Sequence, residues 1–335
     1  GEPAFPEGLP RAEASRTPPP EPRRPPKEGK ELTLNLDFFD VCIGTDCWDM
    51  EDCAGEMDRL MRLAAHYGAR RVLFRVSVCG AVCYRSKAVQ ACNDACFEAN
   101  TREMLDTPIG NLPSFIPNMA RVMERMDPLA EAVKAGHRYG LEVWGWSTLF
   151  DSKFYAPPGE FFREHPEYTW QSRDGKSFLV GVPCYAYPEV RAYRMAEMRE
   201  MLDYGVDGLY LSMRSHSPWP ARGSRELGYN PPVVEEYQRR FGSDPREAKP
   251  DSLEEIRFVK LKGDHLTAFL REVKAEAAKR GKPVAMNTTM DAVDAVNAGR
   301  MFVDVDTLAR ERIVDELCFI TGGGADLNRW RLLAD

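Results

Sequence analysis

Four aspartates, Asp37, Asp40, Asp151 and Asp291, each fall shortly after an apolar, β-favourable run, a placement that suits acid–base chemistry at strand ends. Two carboxyl groups roughly 5 to 9.5 Å apart, one protonated and one ionised, are what glycosidic bond cleavage requires. Three of them also have a plainer use: Asp291 as a helix cap, Asp151 as a turn starter, Asp40 as a solvated loop acid. His216, one of five histidines, lies in Arg214-Ser-His-Ser-Pro218 after another such run. It suits a general acid–base role or substrate hydrogen bonding, and equally a solvated or structurally bonded ring. Arg75, Ser77, Thr148, Arg214 and Asn287 are the other polar residues at strand ends, and of these Arg75, Arg214 and Asn287 are taken to hold hydroxyls. The catalytic candidates are therefore Asp37, Asp151 and His216, and the substrate-binding candidates are Asp40, Arg75, Trp146, Arg214 and Asn287.

Aromatic side chains accompany these polar groups. Trp144, Trp146, Trp170, Trp219, Tyr84 and Tyr185 lie on or just after strands or in long loops. Sugar rings stack their C–H faces on such side chains. The plainer reading for Trp144 and Trp146 is packing in the sheet, with only one of the two expected to face inward.

The elements that must position these residues alternate along the chain. Apolar runs at 32–37, 71–78, 141–147, 207–212, 283–287 and 315–320 read as strands. Helical spacing separates several of them: Met57, Leu60, Met61 and Ala64 recur on one face, as do Ala192, Met195, Met198 and Leu202. A helix starts at Asp127-Pro128, a cap followed by proline at the first position, and a short one lies near 307–311. Strands reached through helices imply a parallel sheet. An open doubly wound sheet is one solution. The long segments 79–126 and 151–188 both follow strands, which favours a parallel (β/α)8-type TIM barrel with its site at the C-terminal ends of the strands. Asp207 and Glu316 lie at strand starts, on the stabilising side. Six units are visible and eight are needed, so the barrel is expected to be truncated in this chain and completed beyond residue 335.

Residues 1–30 hold nine prolines and few large apolar side chains, and read as a disordered leader or linker before one domain over 31–335. The net charge of −7 and a pI near 5.5 do not suit a phosphate-neutralising surface, so no nucleic-acid partner is expected. No run approaches the roughly 18 apolar residues that span a bilayer. No serine nucleophile elbow or phosphate loop is present, and Gly322-Gly-Gly324 is too short for a dinucleotide fingerprint; no cofactor is expected.

Seven of the nine cysteines cluster between Cys42 and Cys96. In an oxidising compartment they read as disulfides, which would fit an extracytoplasmic or secreted protein. Buried free thiols and a zinc site are the alternatives; the spacings Cys79-x3-Cys83 and Cys92-x3-Cys96 are loose ligand pairs.

Tyr204-Gly-Val-Asp-Gly-Leu-Tyr-Leu-Ser212, followed by Gly228-Tyr-Asn-Pro-Pro and the run to Gly242, resembles bacterial glycosyl-hydrolase-like TIM-barrel proteins of the family-10-like or amylase-superfamily-like kind. The segments Tyr187–Arg191 and Trp170–Lys176 resemble the substrate-side part of the same proteins. The resemblance implies a barrel and an oligosaccharide or polysaccharide substrate. It also implies an aspartate where this chain has Ser212. A serine cannot be an ionised nucleophile, so the departure admits a non-catalytic carbohydrate-binding barrel beside a glycoside hydrolase. A metal-dependent hydrolase built on His216 and aspartates is a third reading, without the paired histidines such sites draw on.

Overall fold

The computed structural model describes residues 31–43, 50–78, 80–93, 115–152, 159–213, 224–289 and 300–320. Strand β1 (Leu32–Leu36) leads through helices α1 (Phe38–Ile43) and α2 (Cys53–His66) into β2 (Ala69–Arg75). Asp52 caps α2 by accepting from the Gly55 amide at 3.0 Å, and the apolar stripe Met57, Met61 and Ala64 is buried against the sheet. Gly68, at φ 80°, lets the chain reverse into β2. A short hairpin follows, β3 (Ser77–Val78) with β4 (Ala81–Val82). Helices α3 (Phe115–Arg125) and α4 (Pro128–Arg138) then precede β5 (Glu142–Thr148). Asp127 caps α4 and Pro128 opens it, as its sequence requires.

After β5 come α5 (Glu160–Glu164), a second hairpin of β6 (Thr169–Gln171) and β7 (Phe178–Pro183), α6 (Pro188–Asp203) and β8 (Gly208–Ser212). The remaining units are α7 (Pro231–Phe241), α8 (Leu253–Ala278), β9 (Val284–Thr289), α9 (Val305–Arg310) and β10 (Glu316–Ile320).

One six-stranded sheet runs β1-β2-β5-β8-β9-β10, with every neighbouring pair parallel. Strand order follows chain order, and the sheet curls. Arg71 on β2 donates to both carboxylate oxygens of Glu316 on β10, at 2.7 and 3.0 Å. Those strands stand four places apart, which in a flat sheet is about 19 Å. Only an inward curl brings them together. The chain therefore forms six strands of a TIM-type barrel, and the open doubly wound alternative does not hold.

The curl makes two apolar cores. The larger lies between the sheet and its helices and includes Phe74, Val143, Leu211 and Met286. A second, separate cluster lies inside the curl: Leu73, Trp144, Trp146, Tyr210 and Ala285. Trp144 and Trp146 share the inner face, which corrects the expectation that only one of them would; residues two apart on a strand point the same way. Gly208 faces them for a steric reason, since a side chain there would meet the Trp144 ring at 2.6 Å.

The long segments carry more structure than their composition suggests. The expected second strand stops at Arg75, and Ser77–Val78 turns into the hairpin instead. Helix α7, in the segment carrying the resemblance, starts at Pro231 and stops at Gly242, at φ 73°. Helix α8 begins at Leu253, and its buried apolar residues run from Phe258 to Ala277.

The cysteine reading needs correction. Cys42, Cys53, Cys83, Cys92, Cys184 and Cys318 are free thiols, so no disulfide joins them. Burial pushes the Cys42 and Cys184 thiols up to about 12, which keeps them protonated and unreactive. The cysteine argument for an oxidising compartment therefore has no support among the described residues. Cys47, Cys79 and Cys96 lie outside those residues.

Candidate functional site

Parallel pairing fixes which residues meet at the C-terminal end of the sheet. In register, Arg75 sits beside Trp146 and Trp146 beside Tyr210, while Thr148 sits beside Ser212 and Ser212 beside Asn287. Asp37 follows the last residue of β1, and Asp151 lies three residues beyond β5.

Arg75 organises this end. Its Nη1 donates to Asp37 Oδ2 at 2.6 Å and its Nη2 to Asp151 Oδ2 at 2.7 Å, while Nε donates to the Ser77 carbonyl at 3.2 Å. The planar guanidinium suits two carboxylates at once. Holding both on one fork keeps their bound oxygens within about 8 Å of each other. The two acids differ in access. The Asp151 side chain is 0% exposed and that of Asp37 19%.

Asn287 closes the opposite side. Its Oδ1 accepts from the Met213 amide at 2.6 Å and its Nδ2 donates to Ser212 Oγ at 3.1 Å. Trp146 meets Tyr210 edge-on at 5.9 Å, and burial pushes the Tyr210 hydroxyl up to about 12. Among the described residues, three buried polar atoms at this end have no hydrogen-bond partner: Asp37 Oδ1, Trp146 Nε1 and Thr148 Oγ1. Trp146 is 7% exposed and Thr148 3%.

The outer face of β5 is clamped by a pair not foreseen from sequence. Arg194 and Glu197 of α6 form a buried ion pair at 2.6 Å. Ser147 donates to Glu197 at 2.6 Å, and Arg194 donates to Ser147 Oγ at 2.8 Å and to the Thr148 carbonyl at 2.7 Å. The signal was an Arg-x-x-Glu pair on the stripe of Met195 and Met198, a face that solvated charges would avoid.

Asp37, Arg75, Asp151, Trp146 and Asn287 are thus brought to one end of the sheet. Asp40 lies on α1, with its side chain outside the described residues, and Arg214, His216, Trp219 and Asp291 also lie outside them. Trp170, Tyr84 and Tyr185 are buried packing residues: Tyr84 donates to Glu200 and Tyr185 to the Leu149 carbonyl. Asp207 accepts from the Val143 amide at 2.8 Å, and Glu316 binds Arg71, both at the N-terminal ends of strands. Among the described residues no group of three or more His, Cys, Asp or Glu is placed to hold a metal ion, and no helix is long and apolar enough to cross a membrane. A groove of about 480 Å³ among α7, α8 and α9 is lined by charged residues such as Glu236, Lys260 and Asp304, and none of its lining residues comes from the strand ends.

No protein-family model matches the sequence, and no curated protein does. Solved structures do. The chain is similar to a cycloisomaltooligosaccharide glucanotransferase from a Paenibacillus species, at 9% identity and a TM-score of 0.52, over 91% of this chain and 37% of that one. It is also similar to an exo-β-N-acetylglucosaminidase from Vibrio harveyi (12% identity, TM-score 0.47, 90% and 40% of the two chains) and a β-galactosidase from Marinomonas ef1 (14%, 0.46, 88% and 41%). The chain spans about two fifths of the length of these proteins. At such identity the first likeness supports the barrel fold alone.

Proposed function

We propose that the chain binds a glycan at the mouth of a glycoside-hydrolase-like barrel, between Asp37, Arg75, Trp146 and Asn287. The observation that carries this reading is the set of buried atoms at the strand ends without a hydrogen-bond partner among the described residues, Asp37 Oδ1, Trp146 Nε1 and Thr148 Oγ1. Leaving such groups unsatisfied costs roughly 1–3 kcal/mol each. They comprise an acceptor, a donor and a hydroxyl that is both. A sugar ring supplies the complement, because each of its hydroxyls donates and accepts. Arg214, His216 and Asp40 complete the proposed set by their sequence positions after strands.

Hydrolysis is the second reading, favoured by Asp37 having one oxygen on Arg75 and the other uncommitted. In that reading Asp37 is the nucleophile or base, and Asp151 orients Arg75 from a wholly enclosed position. Ser212, hydrogen-bonded to Asn287, supports binding without turnover instead. The test is a glycan panel scored for both binding and turnover, with Asp37→Asn and Asp151→Asn variants. Binding that Asp37→Asn weakens, without turnover in the parent, fits the first reading; turnover that Asp37→Asn abolishes fits the second. Binding and turnover unchanged in both variants would dismiss the assignment.

A further inference from the structure

We infer that the Arg194–Glu197 pair behind β5 positions the mouth from the far side of the sheet, setting Arg75 and, through it, Asp37. The inference rests on the glycan-binding reading above and adds the residues that hold that site without touching its ligand. Both side chains belong to α6 and are buried on the outer face of β5. Two routes lead from them to the mouth. On the first, Ser147 Oγ donates its single proton to Glu197 Oε1 at 2.6 Å and accepts from Arg194 Nη2 at 2.8 Å. Ser77 Oγ lies 3.3 Å from Ser147 Oγ, and with the Ser147 proton committed to Glu197, Ser77 must be the donor of that contact. The carbonyl of the same Ser77 accepts from Arg75 Nε at 3.2 Å.

On the second route Arg194 Nη2 donates to the Thr148 carbonyl at 2.7 Å, and the Tyr185 hydroxyl donates to the next carbonyl, Leu149, also at 2.7 Å. Asp151 follows two residues later and accepts from Arg75 Nη2. The guanidinium and its enclosed carboxylate partner are therefore both tied back to one ion pair, and Arg75 Nη1 carries the orientation on to Asp37. Packing alone does not call for charges here, since apolar side chains of similar volume would hold a helix on a sheet as well or better. What the ion pair adds is direction. With a neutral amide at position 197 the Ser147 proton could turn to Ser77, and the chain of hydroxyls would have two arrangements in place of one.

The test uses Ser147→Ala, which removes the shared hydroxyl and leaves Arg194 and Glu197 paired with each other at 2.6 Å. The readout is hydrogen exchange of the Arg75 Nε–H, assigned through bonds from the Arg75 backbone, in protein without ligand. Exchange is expected to accelerate at least about tenfold. Ser77→Ala should have the same effect, and the double variant should add little to either single one, because both cut the same chain. Gly263→Ala, a destabilising change on α8 against Phe302, is the control and should leave the Arg75 proton unaffected. If Ser147→Ala does not fold, Ser77→Ala against that control decides. Unchanged exchange in the serine variants, fully additive effects, or equal acceleration in Gly263→Ala overturns the inference. A parent protein that binds no member of a glycan panel overturns the glycan reading instead, and leaves the exchange result to stand by itself.

Discussion

Lys262 gives the most quantitative prediction. It sits on α8, 6% exposed, with its ammonium 5.0 Å from the centroids of both the Trp170 and Phe258 rings. Among the described residues its ammonium donates to the Leu227 carbonyl, at 3.1 Å. Burial above all, opposed by Glu255 and aided by Arg300 and Arg173, lowers its amine from 10.5 to about 7. Below pH 7 the folded protein holds a charged amine that the unfolded chain would hold in water. A shift of that size corresponds to a cost of about 5 kcal/mol. Between about pH 7 and pH 10 the unfolded state binds the extra proton, so this residue makes stability rise with pH, by at most about 1.4 kcal/mol per unit. The contribution is fully present above the unfolded value and is lost as pH falls through the folded one. Lys262→Met keeps the shape and removes the charge. Leaving the Leu227 carbonyl unpaired returns roughly 1–3 kcal/mol of the gain. At pH 6 the variant should be more stable by about 2 kcal/mol or more, and by pH 10 the advantage should vanish or reverse. Denaturant melts of both proteins from pH 6 to 10 measure this. A difference that does not change with pH, or a variant less stable at pH 6, would refute the reasoning.

Other perturbations test the positioning of the site. Arg75→Met leaves Asp37 and Asp151 facing each other without their cation and should cost about 3–5 kcal/mol, read by denaturant unfolding. Glu197→Ala strands the buried Arg194 beneath β5 and should cost a similar amount, about 3–5 kcal/mol. Gly263→Ala should destabilise by about 1–3 kcal/mol or more, because a methyl group there would stand 1.7 Å from the Phe302 carbonyl oxygen; a thermal melt within a degree of the parent would contradict the close packing of α8 on that segment. Asn230→Leu removes a fully buried amide that ties the Gln171 amide to the Glu167 and Thr169 carbonyls. It should cost at least about 2 kcal/mol, with accelerated hydrogen exchange at Gln171 as the local sign.

The sequence by itself determined the parallel class and the place of all six main strands, because alternation of apolar runs with capped helices is a local property. Asp127-Pro128 set the start of α4, and Gly68 the reversal after α2, through backbone preferences of those residues alone. It also placed Asp37, Arg75, Trp146 and Asn287 at strand ends. What it left undecided depends on contacts between distant residues. Only the curl of the sheet joins Arg71 to Glu316, and with it decides a barrel over an open sheet. Whether cysteines pair, and which aspartates share one arginine, are set by side-chain distances that strand register and curvature impose. Composition has no access to those distances. The hairpin at Ser77–Val82 escaped the sequence reading because its strands are two residues each, and in the one at Thr169–Pro183 the first strand is three, too short for a period to show.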